Sequence, residues 1–199
     1  MYQHTLKCLS QIESDEKLSI IWAALLHGCG KALTFEIGKD RITFNGHASK
    51  SADLAENILG RLRFPKRFIE HVSWLVARHM SLFQIFEMPK ATQIKWFLHP
   101  WFLDLLELHK YDTMGQTPVD LSKYNELLKL YQDTVSQIPS LPNPLLSGED
   151  ICQVLDIKPG PVVGEIKEAM FDKQLEGHLQ TRKQAEEFII DMYKNSLQE

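Results

Sequence analysis

Histidine is the side chain whose ordinary proton affinity lies closest to neutral pH, and this chain of 199 residues carries eight: His4, His27, His47, His71, His79, His99, His109 and His178. A histidine taken singly is usually a surface residue or a satisfied core residue. Placement of the set says more. His27 closes an apolar run and is followed by Gly30-Lys31, His47 follows Gly46, and His79 and Asp112 close two further stretches with helical periodicity. Side chains at the ends of separate helices can converge on one cavity. Neutral imidazoles joined by a carboxylate then form a mixed nitrogen–oxygen site for a divalent cation.

The elements that would position these residues read mostly as helix. Leu18, Ile21, Trp22, Leu25 and Leu26 recur at three- and four-residue intervals, which predicts one apolar helix face ending near His27, before Gly28 and Gly30. Thr34 to Ile37 and Arg41 to Phe44 flank Gly38-Lys39-Asp40 and predict a short β-hairpin. Helices are expected from His47 to about Gly60, from Pro65 through Val76, around Ile94 to Leu98, from Phe102 to Tyr111, and over Leu121 to Ile138. Ile138 to Pro144 holds three prolines in seven residues and reads as a connector. Beyond it, Ser147 with Asp150 and Thr181 with Gln184 are capping-box signals for two helix starts, and Pro161 can take a first helical position. The expectation is an all-α fold with one small β-hairpin, divided into a domain over 1–138, a proline-rich linker over 139–146 and a small helical domain over 147–199.

The ordered set His4, Leu25-Leu26-His27-Gly28-Cys29-Gly30-Lys31, Gly46-His47, Arg78-His79-Met80 and Asp112 resembles the HD superfamily of metal-dependent phosphohydrolases. More closely it resembles the HD domain within bacterial tRNA nucleotidyltransferases and related poly(A) polymerases. The resemblance implies ligand-type positions at His4, His27 and Asp112, with His47 and His79 matching the extra histidines that some HD proteins use for a second metal. One departure stands out. The family's aspartate directly after the second histidine is replaced by Gly28, which offers no ligand. A carboxylate there would neutralise metal charge and help clamp two ions. Its loss implies a degenerate site with doubtful phosphohydrolase activity, and leaves open weak binding of a divalent metal by the remaining histidines. Asp40 and Asp53 match no ligand position. Cys29 could offer a thiolate, but reads better as a small buried residue.

The tail carries the strongest resemblance to the same nucleotidyltransferases. Pro144-Leu145-Leu146-Ser147-Gly148-Glu149-Asp150-Ile151, Lys158-Pro159-Gly160-Pro161-Val162-Val163-Gly164-Glu165-Ile166, Gln174-Leu175-Glu176-Gly177 and Thr181-Arg182 are similar to the part that in that family grips tRNA. The residues themselves allow this. A helix opening near Pro161 presents free backbone N–H groups to a phosphate, and Lys158, Gly160, Lys167, Arg182 and Lys183 form the expected RNA-binding set. Read without the resemblance, the same glycines and lysines could merely turn the chain and solvate helices. Arg61, Arg63, Lys66 and Arg67 form a second basic group that either extends a phosphate track or is a solvated corner.

Net charge of −4 argues against a protein coated in basic surface and leaves room for a local basic face. Three cysteines at scattered spacings point to reduced thiols and a cytoplasmic location, and no apolar run is long enough for a membrane span. Nucleotide addition needs paired carboxylates on a strand to hold two magnesium ions. No such Asp-x-Asp pair is present and no room for a nucleotidyltransferase head lies before His4. The chain is therefore expected not to add nucleotides by itself, and to be either a stand-alone remnant or the partner of a separate head chain. The leading expectation is a module that binds tRNA or another structured RNA. The rival is an HD-type phosphohydrolase acting on nucleotide or cyclic phosphate substrates through one residual metal.

Overall fold

The computed structural model describes residues 2–39 and 42–196, the last by its backbone alone. Asp40 and Arg41, which the sequence places in the hairpin, lie outside the described residues. Among the described residues the fold is all-α apart from one two-stranded antiparallel sheet, β1 (Glu36–Ile37) and β2 (Ile42–Thr43), with Glu36 opposite Thr43 and Ile37 opposite Ile42.

The chain divides into two compact units. The first comprises Met1–Glu87 and His99–Asp133. It contains α1 (Tyr2–Ser10), α2 (Leu18–Leu26), α3 (His47–Arg61), α4 (Lys66–Arg78), α6 (Phe102–Met114) and most of α7 (Ser122–Gln137), with short 3₁₀ segments over Cys29–Ala32 and Ser81–Glu87. Helices α3 and α4 pack along each other, and α2 is wedged between α4 and α6, with α1 against α2 and α6. Residues Val72, Leu75 and Val76 of α4 and Ala52, Ala55 and Leu59 of α3 are buried, as their spacing predicts.

Helix α2 departs from its predicted face. Ser19, Ile20, Ala23, Ala24 and Leu26 are buried, whereas Leu18 and Leu25 are 53% and 42% exposed. The cause is composition. Nearly every position of α2 is apolar, so periodicity carries no directional signal, and packing is decided by the small residues Ala23 and Ala24, which let neighbouring helices approach closely. The close fit continues past the helix. A Cβ on Gly30 would lie 2.5 Å from both the His47 carbonyl oxygen and the Ser51 amide nitrogen, so only glycine lets this segment lie against the start of α3. Its own N–H donates to Ser51 Oγ at 2.8 Å.

The second unit comprises Met88–Leu98 and Thr134–Glu199. It holds α5 (Lys90–Phe97), α8 (Gly148–Leu155), α9 (Pro161–Leu175) and α10 (Arg182–Ser196). Helices α8, α9 and α10 enclose a core of Leu146, Ile151, Ile166, Met170, Ala185 and Ile189. Complete burial of each large aliphatic side chain in it stabilises the unit by about 1.5–3 kcal/mol. Helix α5 packs on α9 through Ala91, Ile94 and Leu175, and Lys95 ties the pair with ion pairs to Asp172 at 2.5 Å and Glu168 at 3.3 Å. The capping signals operate as read. Ser147 and Asp150 form a reciprocal capping box at α8, Pro161 occupies the first turn of α9, and Thr181 and Gln184 exchange bonds of 3.1 and 3.3 Å at the start of α10.

Candidate functional site

Five of the residues singled out from the sequence converge within the first unit. His4 lies on α1, His27 caps the C-terminal end of α2, His47 begins α3, His79 caps α4, and Asp112 lies in the last turn of α6. His4 Nε2 is 2.8 Å from Asp112 Oδ1, and His27 Nε2 is 3.4 Å from the same oxygen and 3.3 Å from His4 Nε2. His79 lies beside His27, their ring centroids 5.3 Å apart, and its Nε2 is 3.3 Å from His47 Nε2. His27, His47, His79 and Asp112 are all buried.

The orientation of these rings is set by the main chain. His4 Nδ1 is 3.1 Å from the Gly115 carbonyl oxygen, His27 Nδ1 2.8 Å from that of Ala24, His47 Nδ1 2.9 Å from that of Phe44, and His79 Nδ1 2.7 Å from that of Val76. A carbonyl oxygen only accepts, so each Nδ1 carries the proton and donates it. All four Nε2 lone pairs then face the interior of the cluster, together with the Asp112 carboxylate. Acceptor faces acceptor at 3.3 Å unless a proton or a cation lies between them. This is the donor set of a divalent cation site, with main-chain partners holding each ring in its ligating tautomer. Electrostatics agree. Burial pushes His79 down to about 4 and lowers His47 as well, so both are neutral at physiological pH and their lone pairs are free. Burial works against the Asp112 charge, and positive charge among His27, His79 and His4, supplied by a proton or by a cation, holds its carboxyl well below the usual carboxylate range.

Two of the cavities that reach this cluster share Lys31. One of about 320 Å³ is lined by His4, Lys31, Met80, Phe83, Asp112 and Gln116. Another of about 650 Å³ is lined by Lys31, Asn45, His47, Met80 and Gln84 among others. Lys31 stands in both and supplies positive charge where an anionic group would enter.

Cys8 was not singled out from the sequence. It is fully buried one helical turn beyond His4, and its Sγ lies 3.4 Å from His4 Nε2. His4, Cys8, His27 and Asp112 offer four ligand atoms all within 4.8 Å of one another. The available signal was spacing: positions four apart on a helix share a face. It became readable only once residues 2–10 were known to be helical. Cys29 turns away, its Sγ directed at the Ser51 carbonyl oxygen at 3.8 Å. Asp53 is exposed and pairs with Lys50 at 3.4 Å. The remaining histidines stand apart: His71 stacks on Trp101 and His99 on Trp74, His109 packs edge-on against Phe83, and His178 is exposed.

In the second unit the starts of α8 and α9 open onto a cavity of about 730 Å³ lined by Gly148, Glu149, Cys152, Gly160, Gly164 and Lys167, with others. The sequence-selected cations fall into two groups. Lys167 lines this cavity, and Lys158 is exposed on the turn preceding α9. Arg182 is engaged by the protein itself, bonding Asp150 at 2.6 Å and Glu186 at 2.9 Å, and Lys183 lies 3.9 Å from Glu187. In the second basic group, Arg63 sits at positive φ (61°), at the turn between α3 and α4, and Lys66 pairs loosely with Glu70 at 3.7 Å.

Histidines and one aspartate gathered from five helices, at the centre of an otherwise apolar helical bundle, define a class. Residues 1–132 match the HD domain, and the chain belongs to the HD domain family. It is 34% identical over 196 residues to a CC-adding tRNA nucleotidyltransferase of Thermus thermophilus, and 29% identical over 203 residues to an A-adding tRNA nucleotidyltransferase of Deinococcus radiodurans. Each match takes in 95% of this chain, so it includes the tail unit as well as the histidine cluster. The chain spans 44% and 46% of the two relatives' lengths, less than half of either. No solved structure matches it. No described helix is long and apolar enough to cross a membrane, and all three cysteines are free.

Proposed function

We propose that this chain is an RNA-binding module related to the tRNA nucleotidyltransferases, with tRNA or a similarly folded RNA as its partner and no nucleotidyl transfer by itself. One observation carries the reading: the similarity to two proteins named for action on tRNA continues through the tail unit, beyond the HD-matching residues. The tail's chemistry supports it. At the first turn of α9 Pro161 has no N–H and the Val163 amide bonds the Gly160 carbonyl at 3.1 Å, so the support comes from Gly160 and Gly164, which leave the backbone open, and from the charge of Lys158 and Lys167. Structured RNA is read largely through its shape and backbone, which suits such a surface. Glu149 puts a negative charge on the same cavity wall, so phosphate would seat towards the Gly160 end. Arg182 and Lys183 fit a supporting role, since their charge is already partly answered by Asp150, Glu186 and Glu187.

Nucleotide addition requires paired carboxylates on a strand. The described strands carry Glu36 alone. The proposal therefore takes a nucleotidyltransferase head as the partner that would perform the chemistry. A gel shift with tRNA at low salt tests the binding. Micromolar binding is expected, and the Lys158→Ala/Lys167→Ala pair should weaken it about 30-fold, at roughly 1 kcal/mol for each lost phosphate contact. Absence of a shift at micromolar protein would reject the reading.

A second reading has its own support, because Lys31 and Asp112 share a cavity at the histidine cluster. A divalent cation held by His4, His27 and Asp112 would act there as a Lewis acid and water activator, with Lys31 placed to attract a phosphate ester. Metal-dependent phosphatase activity that disappears in His27→Ala would favour this rival. Gly28 weakens it, since a two-ion clamp lacks its bridging carboxylate.

A further inference from the structure

We propose that Cys8 replaces the ligand lost at Gly28, so that His4, Cys8, His27 and Asp112 form a closed four-coordinate site that selects zinc. The inference concerns the metal centre and is independent of the RNA-binding reading.

Three observations carry it. The first is separation. In a tetrahedral site with bonds of about 2.0–2.3 Å, ligand atoms lie about 3.3–3.6 Å apart. His4 Nε2 is 3.3 Å from His27 Nε2 and 3.4 Å from Cys8 Sγ, and His27 Nε2 is 3.4 Å from Asp112 Oδ1. The His4 Nε2 to Asp112 Oδ1 distance of 2.8 Å needs a small opening, and all four ligand atoms lie within 4.8 Å of one another, so Cys8 Sγ needs at most a modest approach to His27 and Asp112. The second is placement. His4 and Cys8 project from successive turns of α1 onto Asp112 and His27, so two ligands come from one helix and two from facing helix ends. The third is accommodation. A Cβ on Gly115 would collide with Cys8 Sγ and lie 3.1 Å from His4 Nδ1, while the Gly115 carbonyl accepts from that same nitrogen. Gly115 thus both orients His4 and leaves room for the sulfur.

The chemistry balances simply. The entering cation displaces the thiol proton to solvent, and the thiolate and the carboxylate then cancel both positive charges. A carboxylate after His27 would have given a harder, oxygen-rich site open to water. Sulfur at Cys8 instead favours zinc over magnesium or manganese, and four protein ligands leave no position for a reacting water. The centre would then brace α1 against α2 and α6 and would not hydrolyse anything.

Cobalt(II) loading of the chelator-stripped protein tests the assignment. One equivalent should bind, giving the intense visible bands of a tetrahedral ion and a near-ultraviolet sulfur-to-cobalt charge-transfer band. Cys8→Ser should lose the charge-transfer band and bind zinc at least tenfold more weakly, whereas Cys29→Ser should keep both. Circular dichroism establishes whether Cys8→Ser is folded, and if it is not, the spectrum of the unaltered protein decides. Cobalt bound without a sulfur band, or no cobalt bound to folded protein, would overturn the proposal. tRNA takes no part in this measurement, so its failure leaves the gel shift to stand or fall separately.

Discussion

The histidine cluster and the tail cavity are built on opposite principles. In the cluster, charge and lone pairs are buried, and every ring is fixed by a main-chain carbonyl 2.7–3.1 Å from its Nδ1. In the tail, the polar groups are largely exposed, and Arg182 and Lys183 already have carboxylate neighbours. Burying polar groups is unfavourable unless each finds a partner, so a cluster with five acceptors facing inward is completed by a proton or a cation between them. An exposed cation needs no such completion. The first region therefore offers a donor set that its own geometry defines, and the second draws its meaning chiefly from similarity to the tRNA enzymes.

The largest expected effect tests the first half of that contrast. Asp112 is the sole carboxylate facing His4 and His27 in the four-ligand group. Asp112→Asn keeps the shape and removes the charge, and zinc affinity should fall more than about 100-fold, beyond the 10–100-fold typical of outer-shell changes. A competition titration with a chromophoric chelator measures it. An unchanged affinity would mean that Asp112 is not a ligand, and no zinc bound by the unaltered protein would mean that the cluster is a packed polar core.

Next comes a test of whether the tail unit depends on a helix remote from it in sequence. Ile94 of α5 is fully buried against Leu175 and Ala91. Ile94→Ala should destabilise this unit by about 2–5 kcal/mol through lost burial and an unfilled cavity. Urea unfolding followed by tail-unit fluorescence or hydrogen exchange would show it, while zinc binding stays as before. Coincident loss of both would erase the distinction between the regions.

A pH titration of chelator-stripped protein probes the cost of the buried imidazoles. His79 has its folded-state pKa lowered to about 4 by burial, below its unfolded value near 6.5. Between those values the unfolded chain binds the extra proton, so stability should fall as pH drops from about 6.5 towards 4, by on the order of 3 kcal/mol. Asp112 is lowered too, and its contribution is lost only at still lower pH, below the ordinary carboxylate range. Thermal melts across this range check the sign. His79→Gln should flatten the upper part of the curve.

Much of this molecule was readable in advance where a local device fixed the answer. The capping box at Ser147, the proline at the start of α9 and the Thr181–Gln184 exchange act within four residues, so their signals survive in one dimension. His27, His47 and His79 were legible because each stands at a helix end next to a glycine or after an apolar-periodic stretch. Other features were hidden for physical reasons. The buried face of α2 could not be read because both its faces are apolar, and it is the small residues that turn inward. Helix α1 mixes polar with apolar residues, so Cys8 had no helix to stand on. Packing of α5 on α9 joins residues some eighty positions apart, and nothing in either segment names the other.

The smallest effects belong to the tail and bear on whether its cavity takes phosphate. Lys167→Ala should weaken tRNA binding about three- to tenfold and lower the slope of log affinity against log salt by about one unit, as expected for one lost phosphate contact. Glu149→Gln removes the acid on the same wall and should strengthen binding a few-fold, with no change in slope. The opposite signs matter more than the sizes. A surface that merely solvates helices would give two null results. A cavity that holds phosphate must answer to both charges in the directions stated, and fluorescence anisotropy with labelled tRNA at several salt concentrations resolves effects of this size.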